Sequence, residues 1–266
     1  LLWWPGLAAK LENYAADLGF LNIENYSTEQ FLSAQGSSPE NLITIESTDF
    51  DKPLQTTIEI VSELLNKHFS DRGLVLENSL AALEIGPINS LKNALALIGV
   101  VPTLATTVHI LAKSIHVIRS SDAAYDVSFS DPKIPFSIFV SVPSAGSTID
   151  LRIAEAIIHE TMHLQLSLIE RFVDMAKPSS SLYYSPWKKE ARPVSGVLHA
   201  MYVFAVISQW LAELPINSVN VEYAQKRREQ IKKELYEVDL PSCLESLTED
   251  GRRLLKRTAS IIDATI

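Results

Sequence analysis

Two histidines four residues apart carry the clearest chemistry in this chain. His159 and His163 lie in the stretch AIIHETMHLQL, residues 156–166, with Glu160 between them. Positions four apart on a helix project from one face, so both imidazoles can reach one ion at about 2 Å. Their neighbours Ile157, Ile158, Met162, Leu164 and Leu166 are apolar. Imidazoles on an apolar helix need partners, and a shared metal ion satisfies both. The bland alternative is a pair of core histidines in an H-E-x-x-H string that arose by chance.

A third ligand is needed, and His199, in SGVLHAMYVF, is the expected one. Its helix can pack antiparallel to the first across the loop at 178–193. A zinc peptidase would instead offer a helical glutamate downstream. Glu190 falls in a polar loop and Glu213 near a helix end. Glu190 and Asp174 stay open as carboxylate alternatives. His68, His109 and His116 sit outside the constellation and read as structural.

Arg192 precedes the His199 helix, with Ser195 one turn before His199 and Tyr202 almost one turn after it. A guanidinium pairs bidentately with a carboxylate, so Arg192 beside a hydroxyl suits a dicarboxylate. Arg192, Ser195 and Tyr202 are therefore the cofactor-binding candidates. A surface ion pair is the alternative for Arg192, and core packing for Tyr202. Trp187 and Tyr183-Tyr184 either line a pocket or pin their loop.

The elements that must position these residues follow from periodicity. WWPGLAAKLENYAADLGFL and PLQTTIEIVSELLNKHF have apolar residues at helical spacing. A third helical stretch spans residues 90–115 and is expected to break near Gly99 and Pro102. Residues 33–53 read as a loop or joint. SIHVIRS, YDVSFS and PFSIFVSV then alternate apolar with polar and predict short antiparallel strands at hairpin-like spacing. PFSIFVSV is placed either to present an edge to an extended peptide or, given its full apolar face, to be an ordinary core strand. After it come the H-E-x-x-H helix over about 150–176, a polar loop, the His199 helix over about 194–214 and two polar-faced helices. The expected fold is α+β, mainly α. Residues 1–112 form a helical, substrate-recognition region and 113–266 the metal-binding catalytic region.

Composition narrows the function classes. Hydrophobic residues make up 47%, enough for a sizeable core. The 23 basic residues face 32 acidic ones, a net charge of −9, which argues against nucleic acid or an anionic membrane as partner. The longest apolar run, 94–105, contains Pro102 and is too short to span a bilayer. The single cysteine, Cys243, can form no internal disulfide, so a cytoplasmic setting is expected. Any metal must be held by His and carboxylate side chains.

PFSIFVSVP, then RIAEAIIHETMHLQL, then YYSPWKKEARPVSGVLHAMYVF together resemble the HExxH-motif peptide-modification family. The resemblance covers about residues 113–215. It implies an Fe(II)- and 2-oxoglutarate-dependent oxygenase that uses O2 to hydroxylate the β-carbon of a residue in a ribosomally synthesised precursor peptide. Iron would be held by His159, His163 and His199, and Arg192 would hold the distal carboxylate of 2-oxoglutarate. In that chemistry Glu160 need not act as a base and can orient an imidazole or a bound water. The alternative is a zinc metallopeptidase in which Glu160 is the general base that activates a metal-bound water. A third possibility is a helical binding module without catalysis.

Overall fold

The computed structural model describes residues 42–47, 54–60, 69–70, 73–77, 79, 83, 85–119, 126–131, 136–143 and 146–264. They form an α+β fold, mainly helical. The chain makes two compact units that part between Leu164 and Gln165, inside the H-E-x-x-H helix.

The first unit is built on a mixed sheet. Strands β1 (Leu42–Ser47) and β2 (Leu54–Glu59) pair antiparallel, from Leu42↔Glu59 to Ser47↔Leu54. Strand β3 (Ser114–Ile118) runs parallel to β2 on one side and to β5 (Ser137–Ser141) on the other. Strand β4 (Ser128–Ser130) closes the order β1-β2-β3-β5-β4, antiparallel to β5. The expected antiparallel arrangement holds for β4 and β5 but not for β3 and β5, which run parallel because β4 takes the outer place and β5 inserts beside β3. Helices α1 (Ile85–Gly99) and α2 (Pro102–Leu111) lead into β3. The expected break between them is real. Pro102 opens α2, where its missing N–H costs nothing.

Two expectations fail here. Residues 54–59 lie within the stretch read as a helix, yet they form β2. Thr56, Thr57 and Ile58 are β-branched and favour a pleated surface, and Thr56 and Ile58 are fully buried there. Residues 42–47, within the stretch read as a loop, form β1. The helix expected at 3–21 and the remainder of the second one, 61–68, lie outside the described residues, as does His68. Because β2 pairs with β3 (Thr57↔Ser114), residues on both sides of the expected 112/113 boundary share one sheet.

β5 is buried along its whole length, as expected of a strand covered on both faces. Phe139 packs on Phe69 at 4.5 Å and stacks on the His116 ring at 4.7 Å. His109 and His116 are both structural. His109 Nδ1 meets Thr56 Oγ1 at 2.6 Å, and His116 Nδ1–H donates to the Glu59 carbonyl at 3.0 Å. Burial pushes the His116 pKa from 6.5 down to about 4.

The second unit holds the end of α3 (Ile149–Ile169), a hairpin of β6 (Leu182–Ser185) and β7 (Glu190–Pro193), and four further helices. These are α4 (Val194–Ala212), α5 (Ser218–Tyr236), α6 (Leu240–Glu245) and α7 (Glu249–Ala264). The hairpin corrects the polar loop expected at 178–193. α3 stops earlier than the expected 176: the N–H groups of Arg171 and Phe172 reach back only three residues, tightening the last turn. α4 is long and apolar enough to cross a membrane, but most of it is buried inside the fold, with Val197, Leu198, Met201 and Trp210 fully enclosed. It is the core helix of its unit, packed against α5, α7 and β6.

α7 crosses the segment after α3 at very close range. Thr248 Oγ1 accepts from Gly251 N and donates to the carbonyls of Asp174 and Met175. A Cβ on Gly251 would stand 2.0 Å from the Met175 carbonyl oxygen, so only glycine fits. We expect Gly251→Ala to destabilise the protein by about 3 kcal/mol, read by urea denaturation.

His116 gives a second expectation. Its pKa is lower folded than unfolded, so the unfolded chain takes up a proton first as pH falls. Its contribution is whole above pH 6.5 and is lost between there and about 4. Denaturation curves at several pH values should show His116→Phe losing less stability across that window than the parent, by up to about 3 kcal/mol.

Candidate metal centre

α3 carries His159, Glu160 and His163, and its sequence explains why it is a helix that faces a core. Ile153, Ala154, Ile157, Ile158 and Met162 recur at helical spacing and are buried to within 1%. Two side-chain ties hold its first turn. Asp150 accepts from Asn93 of α1 at 2.9 Å, and Arg152 grips Asp126 with two bonds of 2.7 Å.

His159 and His163 are half-buried on the same face, with ring centroids 4.7 Å apart. Their Nε2 atoms stand 3.1 Å from each other. Either one hydrogen lies between these nitrogens or both lone pairs point at one ion. For metal–nitrogen bonds of about 2.1 Å, the 3.1 Å separation subtends about 95° at the ion. That is nearer the right angle of octahedral neighbours than the tetrahedral angle. The pair therefore fits a metal as two adjacent ligands.

Glu160 points elsewhere. It is 5% exposed, and both carboxylate oxygens accept hydroxyls: Ser128 Oγ at 2.6 Å and Ser130 Oγ at 2.7 Å. Ser128 and Ser130 are two apart on β4, so they share one face of the strand. Phe129 takes the other face, against Phe69 and Phe139. The carboxylate thus joins α3 to the edge of the sheet.

β4 is the last strand of the sheet among the described residues. Ser141 N donates to Val127 O at 2.8 Å, which makes 127/141 a hydrogen-bonded pair. By antiparallel alternation 129/139 is the next, so the main-chain groups of Ser128 and Ser130 face away from β5. Among the described residues no strand pairs with that side. PFSIFVSV holds β5, which is enclosed between β3 and β4, so of its two readings it is the core strand and not the edge.

In the second unit, His199 is half-buried on α4, and its Nε2–H donates to Glu170 Oε2 at 2.8 Å. Glu170 was not singled out in the sequence. Its only signal there is spacing, eleven residues after His159 and so about three helical turns on. Arg192 lies over Gly196, 3.8 Å from the exposed carboxylate of Glu190, an ion pair of little energetic worth. Ser195 is half-buried in the first turn of α4. Tyr202 is buried in the core of its unit and donates to Gln165 Oε1, and burial raises its phenol pKa well above the ordinary value. Asp174 and Glu213 are exposed. Trp187 stacks on Phe204 at 5.3 Å and so pins the hairpin tip to α4. Among the described residues, no three His, Cys, Asp or Glu side chains gather closely enough to hold an ion.

No protein-family model matches the sequence, and no match is found among curated proteins.

The serine clamp should have a measurable weight. Replacing Ser128 and Ser130 together by alanine leaves a buried carboxylate without its two donors. We expect a loss of about 3 kcal/mol in denaturant titrations. Glu160→Gln, which keeps the shape and can still bond both hydroxyls, should cost about 1 kcal/mol.

Proposed function

We propose that the chain is an Fe(II)- and 2-oxoglutarate-dependent oxygenase that hydroxylates the β-carbon of a residue in a ribosomally made precursor peptide. The observation that carries this reading is the commitment of Glu160 to Ser128 and Ser130. A peptidase base must face the metal-bound water, whereas an oxygenase needs no carboxylate base.

In this reading His159 and His163 hold the ion through Nε2. When bound, iron with 2-oxoglutarate and O2 supplies the oxidising chemistry. Glu160 sets the rotation of α3 about its axis and hence the direction of both imidazoles. Among the described residues the outer edge of β4 is unpaired, and it would offer Ser128 and Ser130 main-chain groups to an extended peptide lying beside α3 as an added strand. Arg192 with Ser195 is the candidate contact for the carboxylate of 2-oxoglutarate, and His199 the candidate third ligand.

A zinc metallopeptidase is the second reading. The order H-E-x-x-H on a helix beside an open edge strand favours it, as does the spare lone pair left on each oxygen of Glu160.

Anaerobic loading with iron, followed by 2-oxoglutarate and air, separates the two. We expect succinate to form, and to fall to background in His159→Ala and His163→Ala. His199→Ala should lower iron content, and Arg192→Ala should raise the KM for 2-oxoglutarate about tenfold or more. The reading fails if iron and 2-oxoglutarate yield no succinate while zinc-loaded protein cleaves peptides in a manner abolished by Glu160→Gln.

A further inference from the structure

β4 leaves its aromatic face incompletely covered. Val127 and Phe129 stand two apart and pack against the buried cluster of Phe69, Leu76, Ile118 and Phe139. Phe139, one strand further in, has no exposed surface, whereas Val127 and Phe129 keep part of theirs in water. The opposite face of the strand carries Ser128 and Ser130 on Glu160. Among the described residues, no strand pairs with the outer main-chain groups of those serines.

α3 shows what lies over that edge. With successive residues about 100° apart round the helix, Ile153, Ile157 and Leu164 fall on one side of Glu160, and His163 and His159 about 60° and 100° away on the other. The first side is buried and the second half-exposed. The second side also carries Arg152, which grips Asp126 just ahead of β4. Glu160 meets the last strand of the described sheet, so the buried side covers the strands within it and the imidazoles overhang the space beside β4.

We propose that the peptide taken up at this edge is recognised by alternation: the residue presented to the histidines has an apolar residue on each side of it. The proposal rests on the peptide-hydroxylase reading for what happens to the presented residue. An antiparallel strand, the more stable pairing, bonds to Ser128 and Ser130 through every second residue. The residue opposite Ser128 turns its side chain to the face of Glu160 and the imidazoles. Its two neighbours turn theirs the other way, against Val127 and Phe129, and complete the cover of the aromatic cluster.

Calorimetric titration of the intact protein as purified tests this. The probe is a short blocked peptide of serines around one isoleucine–asparagine–valine run; the control has the same composition with serine on both sides of the asparagine. We expect the first to bind about tenfold more tightly or better. N-methylation of the asparagine, whose N–H faces β4, should abolish binding, whereas N-methylation of the valine, whose N–H faces outward, should be tolerated. Val127→Thr, a change that keeps the shape of a half-buried side chain, should narrow the preference between the two peptides with the thermal melt intact. Equal binding of the two peptides, or equal loss from the two N-methylations, overturns the proposal. So does a dimer in sedimentation that the peptide fails to dissociate, which would place a second copy on the edge. Binding is read without iron, 2-oxoglutarate or O2, so a failure of the hydroxylase reading shows separately, as absent succinate with the alternation intact.

Discussion

A carboxylate taken out of water must be repaid in hydrogen bonds, and in the first unit that requirement organises everything near the histidines. Glu160 sits on the buried side of α3 with one serine hydroxyl on each oxygen. The two donors come from alternate positions of a three-residue strand, so the strand must be extended for both to arrive. The helix must also be turned so that Glu160 faces the sheet. Once it is, the Cα–Cβ bonds of His159 and His163 are directed too: they lie one residue before and three after, on the face that the helix leaves half-open.

The second unit solves a different problem. α4 is so apolar that it needs cover on nearly every side, and α5, α7 and the β6–β7 hairpin supply it. Cover that close demands small contacts. Gly251 lets α7 meet the Met175 carbonyl, and Gly196 leaves room for the stem of Arg192. His199 stays half-buried at the margin of this packing, tied to Glu170.

Legibility in the sequence followed the range of the forces involved. α3 and α4 were readable because their apolar residues recur at 3.6 over many turns, and β3 and β5 because alternation and β-branching agree. β2 is hidden in the sequence because LQTTIE also has helical spacing. Its strand state comes with pairing to β1 along its whole length and to β3 at Thr57 and Ile58, tertiary terms that periodicity within the segment does not carry. The β6–β7 hairpin hid in a polar stretch because Leu182 and Tyr184 face outward. The histidine pair was visible as a motif. The partners of Glu160 were not: two serines thirty residues upstream carry no pattern that marks them as donors.

The alternation of β4 has a consequence for assembly. Ser128 and Ser130 must face Glu160 while Phe129 faces Phe69 and Phe139. A slip of one residue would set a phenyl ring against the carboxylate and two hydroxyls among aromatic rings. Only one alignment satisfies both sides. The edge of the sheet therefore cannot zip up out of phase without the helix rejecting it, and the two imidazoles come to lie side by side as they do here only in chains whose sheet has closed in register.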